Sequence, residues 1–202
     1  MTEAPGLAPF AAIAAEPAIW LVLIAWGFAE AIVAPVVPDV LIGILVLAAP
    51  WQLAPLLSAA IVGGVGGAAA FWRLRRVRPD IVARILASQP GLGRPGLTEA
   101  QERLRRRGVV KGFAQIGPGL PVKACLAALA TIDPKRPVIE VMALALLNRL
   151  ARLAPVAIAF AFLHPVALAA DWGAATIAAV YTAGWALFYG SYWTLRDPRR
   201  RG

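Results

Sequence analysis

The sequence predicts an all-α polytopic membrane protein, with transmembrane helices and two Pro-broken re-entrant segments in an inverted repeat. Three observations carry this reading: long apolar blocks, a lopsided placement of charge, and two proline-interrupted hydrophobic stretches. Of the 202 residues, 60% are hydrophobic and 15% charged, against about 25% charged in soluble domains. The apolar residues run in blocks at 10–37, 40–72, 138–163 and 172–193. A helical crossing needs roughly 20 mostly apolar residues, and the last three blocks reach that length.

The charge is placed unevenly. The formal net charge is +9, yet no Lys or Arg precedes Arg73. Eleven then crowd into 73–111, including Arg75, Arg76, Arg78, Arg84, Arg94, Arg103, Arg105, Arg106, Arg107 and Lys111, and Arg196, Arg199, Arg200 and Arg201 follow in the tail. Cationic loops beside apolar spans mark the cytoplasmic side and an anionic lipid surface. No base-reading or stacking motif accompanies the charge, so nucleic acid is not an expected partner. The single cysteine, Cys125, excludes an internal disulfide and a Cys-based metal site. The single histidine, His164, follows an apolar block and reads as an interfacial loop residue. The N-terminus lacks the cationic region of a cleavable signal and is expected to belong to the mature chain.

Parity then orders the crossings within a single domain. Its first half is 8–72, its basic loop 73–111, its second half 112–195 and its basic tail 196–202. Loop and tail should both be cytoplasmic, but three apolar stretches separate them: 112–132, 138–163 and 172–193. Three crossings would leave the tail outside, against the positive-inside pattern. The conflict disappears if 112–132 enters the membrane and returns. Its core, Gly117-Pro118-Gly119-Leu120-Pro121, cannot continue a helix, and such backbone is tolerated at membrane depth only where protein or a wet cavity shelters it. The first half repeats the design. Pro35-Val36-Val37-Pro38-Asp39 interrupts an apolar stretch, 40–49 is too short to cross, 51–72 crosses to Arg73, and 18–34 crosses before it. Two interrupted segments entering from opposite faces mark an inverted-repeat transporter with a midplane site. Two merely kinked spans are the alternative.

Smaller signals fill in the rest. Thr98-Glu99-Ala100-Gln101 fits a capping box and Gly108 a helix stop. They predict a helix over 99–107 lying on the membrane surface, after a turn-rich linker at 90–95. Gly63-x-x-x-Gly67 allows close helix packing.

Ionisable groups inside apolar blocks cost about 3 kcal/mol or more each near the bilayer centre, so they are the first functional candidates. Glu30, one turn before Pro35, and Asp39, directly after Pro38, could line a cavity and carry a proton or ion. Arg149 lies about 16 Å along its helix at 1.5 Å per residue, and Arg152 shares its face. Two guanidiniums there suit a phosphate or carboxylate. Ion pairing with Glu30 or Asp39 is the structural alternative, and the two roles are compatible. Lys123, after the second proline break, is a third candidate cation. Glu140 reads as a helix-dipole acid. No hydrolase, Walker or metal-ligand spacing appears, so neither an enzyme nor a cofactor is expected.

Phe28-Ala-Glu-Ala-Ile-Val-Ala-Pro35-Val-Val-Pro38-Asp39 resembles the first signature of the DedA family, also called VTT or SNARE-associated membrane proteins. The 63–67 glycine run resembles the family's glycine-rich third segment, and Pro118 through Cys125-Leu-Ala-Ala, Pro137-Val-Ile and Leu147-Asn-Arg149 are similar to the second half of its shorter YqaA-like bacterial branch. The resemblance spans about 28–152. It implies a re-entrant inverted repeat, a bacterial inner-membrane location, and translocation of polyprenyl phosphates or phospholipids, sometimes coupled to protons. Glu30, Asp39 and Arg149 fall on matching polar positions. Where the family carries two arginines around its second break, Gln115 and Pro121 stand nearest, with Lys123 the nearby cation, and Ala128-Leu129 replaces the usual Ala-Gly. Arg149 and Arg152 are the residues onto which the arginine roles would move.

The expectation is therefore a lipid transporter or scramblase, with Arg149, Arg152 and Lys123 holding an anionic phosphate and Glu30 and Asp39 as proton or ion partners. Membrane lipids are the expected partners, and the basic loop would touch an anionic lipid surface. Self-association is left open. A proton- or ion-coupled transporter of a small solute is the second reading. A non-transporting scaffold that recruits partners through the basic loop is the third.

Overall fold

A computed structural model describes residues 5–33, 38–89, 92, 94–114 and 120–196. Every regular element among them is helical, an arrangement compatible with lipid because helices satisfy their backbone hydrogen bonds internally. Helix α1 (Ala8–Ala15) and helix α2 (Pro17–Ile32) meet at an 80° bend. The joint is Glu16, which is extended (φ −71°, ψ 126°) because Pro17 disfavours the helical region for its predecessor. Next come α3 (Asp39–Ala48), a 3-10 turn (Pro50–Gln52) and the long α4 (Leu53–Val77). The basic loop holds α5 (Pro79–Ala87), α6 (Arg94–Arg107) and α7 (Val109–Phe113). The chain ends with α8 (Val122–Ile132), α9 (Val138–Ala169) and α10 (Ala174–Arg196).

Two stretches are long and apolar enough to cross a membrane unaided, Pro50–Val77 and Val138–Ala169, each with mean hydropathy 1.7. The bent α1–α2 pair makes a third if it is one span. At 10 and 11 residues, α3 and α8 are too short to cross, since roughly 20 are needed. The stretch 172–193, expected to cross, forms most of α10. At 23 residues α10 is long enough, but its Tyr, Trp, Thr, Ser and Gly residues leave it less apolar than the other two.

Small residues set the packing. Helix α2 lies closely along α4, and α9 packs on both α4 and α3. A Cβ on Gly63 would run into the Ile24 carbonyl oxygen, and one on Gly67 would lie 2.5 Å from the Phe28 carbonyl oxygen. The glycine run thus brings two backbones together, as its spacing predicts. Two apolar clusters result. One joins the C-terminal half of α4 and the N-terminal half of α9 to α5, α6, α7 and α8. The other joins α1, α3 and the opposite halves of α2, α4 and α9. Along α9, Ala145 belongs to the first and Leu153 to the second. Asn148, Arg149 and Arg152 lie between them.

Three local expectations change. Helix α6 starts at Arg94, a turn before the expected cap, so Thr98 is inside the helix. Pro95 explains this, since the first turn needs no donor at that position. The helix does not keep its apolar side for a membrane surface. Ala100 and Leu104 are buried in the core around α8, while Arg105, Arg106 and Arg107 stay exposed. Gly108 ends α6 as predicted, with φ +77°. His164 is inside α9, not in a loop. The helix runs through Pro155 and Pro165 to Ala169, an accommodation that membrane-type helices make when neighbours satisfy the freed carbonyls.

Candidate functional site

Five ionisable residues converge between the two apolar clusters. Glu30 closes α2, Asp39 opens α3, Lys123 lies in the first turn of α8, and Arg149 and Arg152 are one turn apart on α9. All were candidates from the sequence, and the fold brings all of them together. Pro38 and Pro121 immediately precede α3 and α8. Pro35, Pro118 and Gln115 lie outside the described residues, as do Arg199, Arg200 and Arg201.

The acids and cations form two pairs. Arg149 Nη2 meets Glu30 Oε2, with side chains 1% and 2% exposed. Both side chains are buried, and the contact between them is ionic. Among the described residues, Arg149 Nε and Nη1 lack hydrogen-bond partners. Room for this guanidinium comes from α4, where a Cβ on Gly64 would lie 2.6 Å from Arg149 Nε. The second pair is looser and wetter. Arg152 Nε lies 3.6 Å from Asp39 Oδ2, with side chains 23% and 5% exposed. Asp39 Oδ1 is buried and, among the described residues, has no hydrogen-bond partner. Lys123 is buried and within electrostatic reach of Glu30, Arg149 and Arg152. Three cationic side chains thus face two carboxylates.

Side-chain amides hold the chain where each broken segment begins. Gln89 Nε2 donates to the Val33 carbonyl at 3.0 Å, just beyond α2. Asn148 Nδ2 donates to the Phe113 carbonyl at 2.8 Å, at the end of α7. Helix ends carry carbonyls without intrahelical partners, so each amide satisfies an open group, at exposed Val33 in one case and at buried Phe113 in the other. Helix α3 is held at both ends. His164 Nδ1 lies 2.7 Å from the Leu47 carbonyl oxygen, and the Tyr181 hydroxyl donates to the Val40 carbonyl.

Beside the outer pair runs an open groove of about 620 Å³ between α9 and α10. Asp39 and Arg152 are its only charged lining residues among those described. The remaining wall is apolar and aromatic, with Val156, Phe160, Leu163, Tyr181, Trp185 and Phe188 prominent. Phe160 and Tyr181 have ring centroids 5.5 Å apart, and Trp185 and Phe188 pack edge-on at 5.4 Å.

Sequence reasoning missed Gln89, Asn148, Tyr181 and the tether made by His164. Asn148 carried a usable signal, as a lone amide beside Arg149 in an apolar helix must find a buried partner. Gln89 and Tyr181 act across separations of 56 and 141 residues, which no local pattern announces. No protein family, no curated protein and no solved structure matches the chain.

Proposed function

We propose that this protein is a membrane lipid transporter or scramblase of the DedA type, moving a phosphate-bearing lipid such as a polyprenyl phosphate or a phospholipid. One observation carries the reading: an apolar groove whose only charged lining residues, among those described, are Arg152 and Asp39. Such a groove is complementary to an amphiphile, with hydrocarbon against Phe160, Trp185 and Phe188 and an anionic head at the guanidinium. A small polar solute would leave those walls unmatched. Arg149 and Lys123 add positive field behind Arg152, and Glu30 and Asp39 serve as proton or ion partners.

In this reading α3 and α8 are the returning arms of two re-entrant segments in an inverted repeat. Three parallels support that arrangement. Each is a short apolar helix after a proline, Pro38 or Pro121, and each carries an ionisable residue in its first turn, Asp39 or Lys123. Each preceding helix end has its carbonyl held by an amide. The protein would sit in a bacterial inner membrane with 73–111 and the tail inside, its exposed arginines against anionic lipid.

The test is transbilayer movement of labelled polyprenyl phosphate and labelled phospholipid in liposomes, with and without a proton gradient. Wild type should move at least one of them, and Arg152→Gln should slow that movement at least tenfold while remaining folded. No movement of either lipid under either condition would sink the reading.

A further inference from the structure

The two ion pairs on α9 differ in a way that points to a role for Asp39 beyond proton or ion partnership. The Glu30–Arg149 pair is sealed, at 2% and 1% exposure. The Asp39–Arg152 pair lines the groove, and its closest approach is 3.6 Å. That exceeds the about 2.7–2.9 Å of a well-made charge-assisted bond. An oxygen of Asp39 is buried without a hydrogen-bond partner among the described residues. A loose carboxylate beside an accessible guanidinium occupies the place that an anionic head group would take.

Building on the lipid-transport reading, we propose that Asp39 is an internal competitor for the head group, holding Arg152 until a phosphate displaces it. The exchange breaks one charge contact and forms a better one. Phosphate offers more oxygens and more charge than a carboxylate, and it matches the planar guanidinium fork. The released carboxylate then sits between the opposing fields of Glu30 and Arg149 and keeps its place in the groove wall. Asp39 thereby acts as a specificity-determining residue. Amphiphiles with neutral heads cannot displace it, those with carboxylate heads gain little by doing so, and those with phosphate heads win.

The proposal can be tested by binding alone, without any transport. Trp172 and Trp185 line the groove, so a bromine-tagged dodecyl phosphate that seats there quenches their fluorescence. The titration uses the full chain in nanodiscs, with tagged dodecanol as the neutral arm, tagged dodecanoate as the carboxylate arm and inorganic phosphate as an untethered competitor. An internal competitor lowers apparent affinity by the fraction of time it holds the site. Asp39→Asn should therefore bind the alkyl phosphate about tenfold more tightly than wild type, with dodecanol unchanged. Asp39→Glu keeps a competing carboxylate and should stay near wild type, which separates competition from mere folding damage. Arg152→Gln should bind the phosphate no better than the alcohol.

Equal or weaker phosphate binding in Asp39→Asn would overturn the proposal, because a residue that contacts the ligand or only supports the fold behaves that way. So would an absence of quenching in every variant. Displacement of the probe by inorganic phosphate at matching concentration would overturn the lipid assignment in favour of free phosphate. If the binding pattern holds but no lipid moves in liposomes, the transport reading fails and the competitor role stands.

Discussion

Arg149 and Arg152 sit three residues apart on one face of α9, each against a carboxylate, yet they live in different surroundings. The inner pair is closed off by α2 and by the glycine surface of α4, at 1% and 2% exposure. The outer pair opens on an apolar groove, and its arginine is 23% exposed. The chemistry is the same and the burial is not. A sealed pair is fixed once the protein has folded, because neither partner has another place to go. A pair at the edge of a groove can exchange partners, so it is there that ligand chemistry is possible.

The most severe way to probe this contrast is to break the inner pair. Glu30→Ala leaves a guanidinium buried without its carboxylate, which in other proteins costs about 3–5 kcal/mol. Thermal unfolding in detergent should show a large drop in midpoint or a loss of folded protein. The double variant Glu30→Met with Arg149→Met should recover most of the loss, since exchanging both charges for apolar bulk is often neutral. A single variant as stable as wild type would mean that the inner site is wetter than its burial implies.

A smaller effect is expected from the glycine surface beside that pair. Gly63→Ala places a methyl group against the Ile24 carbonyl and forces α2 away from α4, with a loss of about 1–3 kcal/mol. Gly184→Ala on the groove side meets nothing within 4 Å and should leave the unfolding midpoint unchanged. Next is the amide beside Arg149. Asn148→Leu strips the Phe113 carbonyl of its buried donor, worth about 1–3 kcal/mol. The change should also raise hydrogen exchange at the end of α7. Equal effects of the two glycine changes would erase the distinction between a tight inner side and an open outer one.

Much of the inner side was legible in the sequence, and little of the outer side was. Gly63 and Gly67 announced a close helix contact by spacing alone. Glu30, Asp39, Lys123, Arg149 and Arg152 announced themselves as charges in apolar blocks, where each must find a partner. Which acid meets which arginine was not readable, because it depends on the angles at which α2 and α3 reach α9. The groove was not readable either. Its walls come from α9 and α10, and Phe160, Tyr181 and Trp185 look like ordinary lipid-facing aromatics until two helices set them side by side. His164 was misplaced for a local reason: His-Pro after an apolar block looks like a loop, but α9 continues through Pro165. Thr98 was misread because a good capping box lost to Pro95, which begins the helix a turn earlier.

Of the two ion pairs, the outer should give the smaller change in stability and the clearer change in function. Asp39 is itself buried, but Arg152 is 23% exposed and their contact is long, so losing the arginine should cost nearer the ~1 kcal/mol of an average substitution than the cost of opening the sealed pair. Arg152→Gln should therefore leave the unfolding midpoint within a few degrees of wild type, by the scaling of about 2–4 °C per kcal/mol for domains of this size. The same protein should lose at least tenfold in lipid movement, because the guanidinium is the groove's cationic lip. The two readouts separate what burial does from what the charge does. If Arg152→Gln unfolded as readily as Glu30→Ala, the outer pair would be part of the scaffold like the inner one. The groove would then be only an apolar seam between α9 and α10. If instead the protein stayed folded and kept its activity, anionic head groups would have to be held elsewhere, and Lys123, buried between the same two clusters, would become the cation to change next.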